Sequence, residues 1–404
     1  MRATLVVAMA CLSTLSALAQ TTAIDEARER ARLHLGGLYV TPALQLKEMG
    51  VDSNVFNEPG STARDFTINL APGAQLALPI GRRALVESTL AANLVYFQRY
   101  ASQRSVNPNA SVRVTGFFRR LTLAGGGGYL NTHERMNQEI DARAGRTDKS
   151  AHAAFDIRVV PKFSVGLSGV VSHADYAEGL FFRGVNLRES LANDLWNAAM
   201  GVKYIATPLT SLGVRGEMES TRFPFSPLKN ADSVRVTSGV VFKPRALISG
   251  SAFVGIRRFK PLSADVPEFR GLVAAISLRY SVRSATAFAL TLDRDVQYSY
   301  EQLEPYFVST AVGASIRRQL FGPFDTTVGT QWFQHRYRDV LTSPVPNDLV
   351  RVDVIRNYSG DVGYRFGRKS RVGVGVSYWS RDSNRADFAV YEGFRAATTL
   401  TYGF

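Results

Sequence analysis

Few residues in this chain have both the type and the spacing to make or break bonds. The histidines, His34, His133, His152, His173 and His335, are scattered, and none falls at a metal-ligand spacing. "SHADY" (172–176) brings Ser172, His173 and Asp175 together, the residue types of a nucleophile, a base and its orienting acid. On a strand, however, neighbouring side chains point to opposite faces, so the three do not converge as they stand. "GGGG" (125–128) lacks the following Gly-Lys-Ser/Thr of a phosphate loop. Asp52 and Asn54 in "VDSN" are too few ligands for calcium, and a polar turn is the simpler reading. The single cysteine, Cys11, lies in the N-terminal apolar stretch, which leaves no disulfide, zinc thiolate or thiol nucleophile beyond it. Neither an enzyme nor a cofactor is expected.

What remains is fixed charge. The chain carries 48 Lys and Arg against 34 Asp and Glu, net +14. Such an excess acts on anions, provided that some element gathers it on one surface. The element is a strand. From about residue 38 the chain alternates apolar and polar residues, a period of two that no helix can keep on one face. In "VRVDVIRNYSGDVGYRF" (350–366), Val350, Val352, Val354, Tyr358, Val362, Tyr364 and Phe366 oppose Arg351, Asp353, Asn357, Ser359, Asp361 and Arg365. "RVGVGVSYWS" (371–380) and "NASVRVTGFF" (109–118) repeat the pattern.

Short links with Gly, Pro and basic residues, such as "PIGRRA" (79–84) and "FGPFD" (321–325), alternate with longer polar ones, such as 135–148 and 177–189. This is an antiparallel meander. It predicts an all-β, transmembrane, up-and-down β-barrel of about 18 strands, within a range of 16–20. Strands of roughly 12–16 residues are long for a sandwich and long enough to cross a bilayer core at a tilt. A sheet in lipid cannot keep a free edge.

The N-terminus "MRATLVVAMACLSTLSALAQ" has a basic start, an apolar stretch and small residues at Ala17 and Ala19. It predicts a signal peptide over 1–19, followed by a short periplasmic segment over 20–37 and the barrel over 38–404. Export removes the opportunity to meet nucleic acid despite the positive charge. Both termini are then expected in the periplasm, with the long links outside. The chain ends "TTLTYGF", with Leu400, Tyr402 and Phe404 continuing one outward face. This ending resembles that of bacterial outer-membrane barrels, in which a terminal Phe within such a pattern is the signal read by the barrel-assembly machinery.

The faces not given to lipid carry Arg99, Arg113, Lys203, Arg215, Arg235, Arg257, Arg279, Arg317, Arg351, Arg365, Arg371 and Arg395, with Lys47 and Arg381 beside them. These are the candidate lumen track. Fewer acids oppose them, among them Glu87, Glu217, Glu219, Asp293, Asp295, Asp353 and Asp361. Such a wall would favour anions unless the charges pair with one another or with lipopolysaccharide phosphates. Two positions break the outward face, Arg294 and Arg356. Each requires either a place above the apolar band or a bulge that shifts the register. The small residues of "LAGGGGYL" (123–130) and "VGVGV" (372–376) are expected to leave lumen space or to admit aromatic neighbours.

"LYVTPALQLKEMGVDSNVFNEPGSTARDFTINLAPGAQLALPIGRRALVES" (38–88) resembles the beta-barrel porin family found beside exopolysaccharide and exosortase loci. Pro42, Asp52, Asn54, Val55, Phe56, Asp65, Pro72 and Gly73 carry the likeness. "GVDSN" stands where members often have an aromatic residue and a second acid. The resemblance implies an outer-membrane barrel that serves as a passive conduit or accessory for exported acidic polysaccharide. The alternatives are a general porin for small anionic solutes, which usually has a constricting loop, and a structural or adhesion barrel with a filled lumen.

Overall fold

The computed structural model describes residues 18–57, 63–140, 143–244, 246–282, 285–342, 350–366, 370–385 and 390–402, with side chains from residue 23 onward. Most of the expected signal peptide (1–17) and Phe404 lie outside the described residues.

Alternating faces over long segments produce eighteen barrel strands. They are β1 (Leu38–Asp52), β2 (Asp65–Ile80), β3 (Ala84–Phe97), β4 (Ser105–Phe117), β5 (Leu121–Thr132), β6 (Arg146–Val160), β7 (Phe163–Tyr176), β8 (Asn193–Thr207) and β9 (Thr210–Arg222). The other half holds β10 (Ala231–Phe242), β11 (Ile248–Pro261), β12 (Phe269–Val282), β13 (Thr286–Tyr298), β14 (Tyr306–Gln319), β15 (Phe324–Arg338), β16 (Val352–Arg365), β17 (Ser370–Ser383) and β18 (Tyr391–Tyr402). Each pairs antiparallel with its chain neighbours, and β18 pairs back onto β1 from Leu44↔Tyr402 to Asp52↔Arg395. Closure satisfies the edge donors and acceptors that lipid could not. Leu400 and Tyr402 sit in this seam, Leu400 opposite Leu46 and Tyr402 opposite Leu44. The seam contains a bulge at Lys47 and Glu48, where the register with both neighbours shifts. The bulge sends both side chains inward, Lys47 to Asn93 and Glu48 to Arg395.

The outward face is apolar, with Leu90, Val114, Leu167, Met200, Val214, Ile256, Leu272 and Val374 exposed along it. Aromatic residues flank it, among them Tyr96, Trp196 and Phe394 on the long-link side and Tyr204, Tyr280, Tyr364 and Tyr402 on the short-turn side. Arg294 and Arg356 involve no register shift: the β13–β14 ladder runs unbroken through Arg294, and both ladders of β16 run unbroken through Arg356. Each lies in the long-link third of its strand with polar company. Arg356 pairs with Asp382, and Arg294 donates to the Thr310 hydroxyl and the Leu272 carbonyl.

Strict alternation puts Val296 and Tyr298 on the same outward face as Arg294, but both pack into the protein instead. The β12–β13 ladder stops at Ala274↔Arg294, and above that point the wall folds onto itself. Tyr298 packs on Phe223 and Phe259, and Tyr306 lies 4.8 Å from Phe259. Parity alone cannot register such a crease.

The segment before the barrel is helix α1 (Leu18–Arg30), then a three-residue strand, Leu33–Leu35, paired with Leu38–Val40. Ile24 of α1 is buried on Leu85 and Phe117, with Ala77 beside them. These lie on the inward faces of β2–β4, and inward-facing Thr41 donates its hydroxyl to the Arg30 carbonyl at 3.1 Å. The helix therefore rests inside the short-turn mouth. Ile24→Asp should release it, because an unpaired carboxylate cannot stay on that apolar pad. The expected result is proteolysis within 23–32 under conditions that leave the wild-type segment intact, with the barrel still folded. Equal protection in both proteins would refute the docking.

Candidate functional site

The inward faces sort into two charged zones and a waist between them. Toward the short turns, one buried carboxylate, Asp325, gathers Arg317 at 3.2 Å, Arg365 at 2.5 Å and Arg371 at 2.7 Å. Arg371 also meets Asp361, and Gly363 makes this possible: a Cβ there would collide with the Arg371 guanidinium. Toward the long links, Glu217 holds Arg215 at 2.5 Å and Arg235 at 2.6 Å. Asp295 holds Arg235 at 2.7 Å and Arg257 at 2.9 Å, and Glu219 holds Arg257 at 2.6 Å. Arg351 joins Asp353 and Glu304, Arg381 joins Asp353, and Arg395 joins Glu48 and Asp52.

The lumen track is thus largely neutralised. Arg215, Arg235, Arg257, Arg317, Arg351, Arg365, Arg371 and Arg395 all hold carboxylates. A paired arginine lends little field to a passing anion. Arg113 faces Glu87 across the β3–β4 ladder, and Lys203 feels the nearby Asp156. Arg279 stands on β12 without a carboxylate partner among the described residues. Arg99 is not on a strand face at all: β3 ends at Phe97, and Arg99 belongs to the following link, where its N–H donates to Asp65. Pairing of this kind depends on which strands become neighbours, so strand patterns alone do not reveal it.

The waist is built from small residues, including Gly73, Ala91, Ser111, Gly126, Gly128, Ala199, Gly201, Thr237, Ala275, Gly329, Ser359 and Ala397. The glycines of "LAGGGGYL" mark close approach rather than open space: a Cβ at Gly126 would collide with the Val112 carbonyl and the His152 ring, and one at Gly128 would press on the Ser150 hydroxyl. Those of "VGVGV" instead make room for the charged Arg371 and Asp361, and the aromatic case occurs elsewhere, with Trp379 lying over Gly393.

The long-link end is roofed. The described parts of the β5–β6 link, residues 133–140 and 143–145, turn into the barrel, and the first of them reaches the far wall. Arg381 on β17 donates to the carbonyls of Gln138 and Glu139 at 3.1 Å each. Ser299, in the β13–β14 link, donates to Glu139 Oε1 at 2.6 Å. Ile140 and Ala144 pack with Tyr176, Leu187, Leu191 and Tyr300. Lys229 Nζ sits among Ser299 O at 2.7 Å, Ser190 O at 3.1 Å and Ser190 Oγ at 2.5 Å. Ser190 and Lys229 have the composition of a nucleophile and a base. Both are buried, however, and Ser190 Oγ donates to the Tyr300 carbonyl, so the pair ties three links together. In "SHADY", Ser172 and His173 take opposite faces as expected, His173 pairing with Asp194 and Asp175 with Arg188. The in-turned link was not read from the sequence. Its signal was the pair of apolar residues, Met136 and Ile140, in an otherwise polar stretch.

Burial pushes the Glu139 carboxyl up to about 7, against the Ser299 hydrogen bond and the fields of Arg351, Arg381 and Lys229. Burial likewise pushes Lys229 down to about 8. Since Glu139 holds its proton more tightly docked than free, docking gains most below pH 4.5. That contribution is lost as pH rises through about 7. Trypsin should cut at Arg135 or Arg143 more readily at pH 8 than at pH 5.5, after correction for trypsin's own pH profile. Glu139→Gln, permanently neutral, should flatten that rise. An unchanged rise in the variant would assign it to another group.

No curated protein sequence matches the chain. Among solved structures, it is similar to OccK2 (OpdF) of Pseudomonas aeruginosa, at 11% identity and TM-score 0.52, covering 90% of this chain and 98% of that one. It is also similar to the outer membrane protein opdK of the same organism, at 9% identity and TM-score 0.48, covering 90% and 98%. The first likeness shows a shared barrel fold. The family described as "Putative beta-barrel porin 2" has a model that matches residues 31–396, and the chain therefore belongs to that family, as a porin-like barrel of the bacterial outer membrane.

Proposed function

We propose that this barrel is a passive channel for small acidic solutes, with a narrowed extracellular mouth. The observation that carries the reading is the 133–140 part of the β5–β6 link, turned inward and tied to the opposite wall through Arg381 and Ser299. Such a link restricts a wide barrel to small solutes. The same roof weighs against a bore for threading an exported acidic polysaccharide, which needs an uninterrupted passage. In this reading the long links face outward and the short turns and both termini face the periplasm. The final strand, with Leu400 and Tyr402 on its lipid side, together with Phe404 two residues later in the sequence, is the segment the barrel-assembly machinery would read.

The test is conductance of the folded protein in a planar bilayer. Small, anion-selective steps that weaken in selectivity as salt rises are expected. A silent barrel of demonstrated fold would refute the channel reading. Large steps that admit long neutral polymers would restore the polysaccharide conduit.

A further inference from the structure

Within the narrowed mouth, two arginines are left over from the ion-pair scheme. Arg135 and Arg143 face each other across an isolated antiparallel bridge in the in-turned link. Both are half-buried. Arg135 Nη2 donates to the Val55 carbonyl at 2.5 Å, and the Arg143 guanidinium lies 4.3 Å over the Phe97 ring. Neither has a carboxylate partner among the described residues. Of the acids nearby, Glu48 and Asp52 are taken by Arg395, Asp52 also accepts the Asn54 N–H, and Glu134 accepts from the Asn93 and Asn107 side-chain amides. The Nε atoms of Arg135, Arg143 and Arg395 are all buried without an acceptor.

Three guanidinium groups thus crowd a space that holds too few oxygen acceptors. A buried donor without an acceptor costs free energy, and like charges repel. Burial together with the fields of Arg135 and Arg395 pushes Arg143 down to about 10, the direction expected where positive charge is in excess. Each guanidinium offers up to five N–H donors in a planar fork that suits oxyanions. Nearby Phe97 and the Phe56–Tyr100 edge pair make the surroundings apolar, which strengthens such contacts.

We propose that Arg135 and Arg143 form an oxyanion-binding subsite at the mouth of the lumen, taking the carboxylate-type group of a small solute. The proposal rests on the channel reading for its place on a solute's route and deepens it by naming the chemical group that is recognised.

The test is saturation-transfer NMR on the folded barrel in neutral detergent at low salt, with acetate and methanesulfonate as probes. Saturable transfer to acetate is expected, falling about tenfold in affinity or vanishing in Arg143→Gln and Arg135→Gln. Arg258→Gln, on the outward face beside Glu268, should leave it unchanged. Arg143→Lys keeps the charge without the fork and should weaken acetate less than Arg143→Gln does. It also covers the case in which the Gln variant fails to fold. Stronger transfer to acetate than to methanesulfonate assigns the site to planar carboxylates, and the reverse order overturns that assignment. No transfer in the wild type, or equal transfer in Arg143→Gln, overturns the subsite. Because binding is read without a membrane, a conducting barrel with no transfer refutes the subsite alone. A binding barrel that does not conduct refutes the channel alone.

Discussion

Replacing residues 136–142 with a two-residue Asn-Gly turn should raise single-channel conductance roughly twofold or more and weaken discrimination by solute size. The link is the part of the roof that crosses the lumen, and its anchors are few and identifiable. Arg381 loses the carbonyls of Gln138 and Glu139 but keeps Asp353. Ser299 loses Glu139, while Lys229 keeps the carbonyls of Ser299 and Tyr300. The apolar residues stripped of Ile140, chiefly Tyr176, Leu187 and Tyr300, still have one another. The barrel wall takes no part in the change, because the β5–β6 ladder begins at Thr132↔Arg146, outside the excised stretch. The variant should therefore fold and migrate as a compact barrel on a gel. Wild-type conductance from such a barrel would mean that the solute route lies elsewhere or is closed elsewhere. The α1 segment in the opposite mouth is the next element to test.

What could be read from the chain and what could not divide along a physical line. Period-two patterning and the alternation of short and long links depend only on local sequence, and they specified a closed meander of about 18 strands. Arg365, Arg371 and Arg395 stand opposite the exposed apolar face of their strands, where they hold carboxylates. Alternation could not say that Asp325 would draw three arginines, because which inward side chains meet is set by the register between β14, β15, β16 and β17, which parity does not carry. A wall read as bare positive charge is in fact a set of ion pairs with a small surplus. Part of that surplus sits on a link, where Arg135 and Arg143 obey no alternation. The Lys47–Glu48 bulge and the crease above Ala274 escaped for a related reason. Both are departures of the ladder from its own register or extent, and a residue's parity carries no trace of them.

The most damaging single change should be at Arg351. Its side chain is fully buried, 0% exposed, immediately before β16 at the long-link end. It donates to Asp353 Oδ2 at 2.7 Å, Asp353 Oδ1 at 3.1 Å and Glu304 Oε2 at 2.9 Å, and stacks 3.9 Å over the Tyr337 ring. Arg351→Met fills similar space but leaves two buried carboxylates short of a cation. Asp353 keeps Arg381 and the Tyr337 hydroxyl, and Glu304 keeps Arg385. Removing one partner from such a buried set costs about 3–5 kcal/mol, far more than the pair's net stabilisation. Arg365→Gln, at the other end of β16, is the matched control. Arg365 is half exposed, and its carboxylate, Asp325, retains both Arg317 and Arg371, so the cost should stay within about 1 kcal/mol. Urea unfolding in lipid vesicles, followed by tryptophan emission, separates the two. The triple change Arg351→Met, Asp353→Asn and Glu304→Gln should recover most of the loss, since it removes the stranded charges along with their partner. Recovery would locate the penalty in uncompensated charge rather than in lost packing on Tyr337. A triple variant as unstable as Arg351→Met would place it in the packing instead, and Arg351 would then serve the barrel mainly as a planar filler over an aromatic ring.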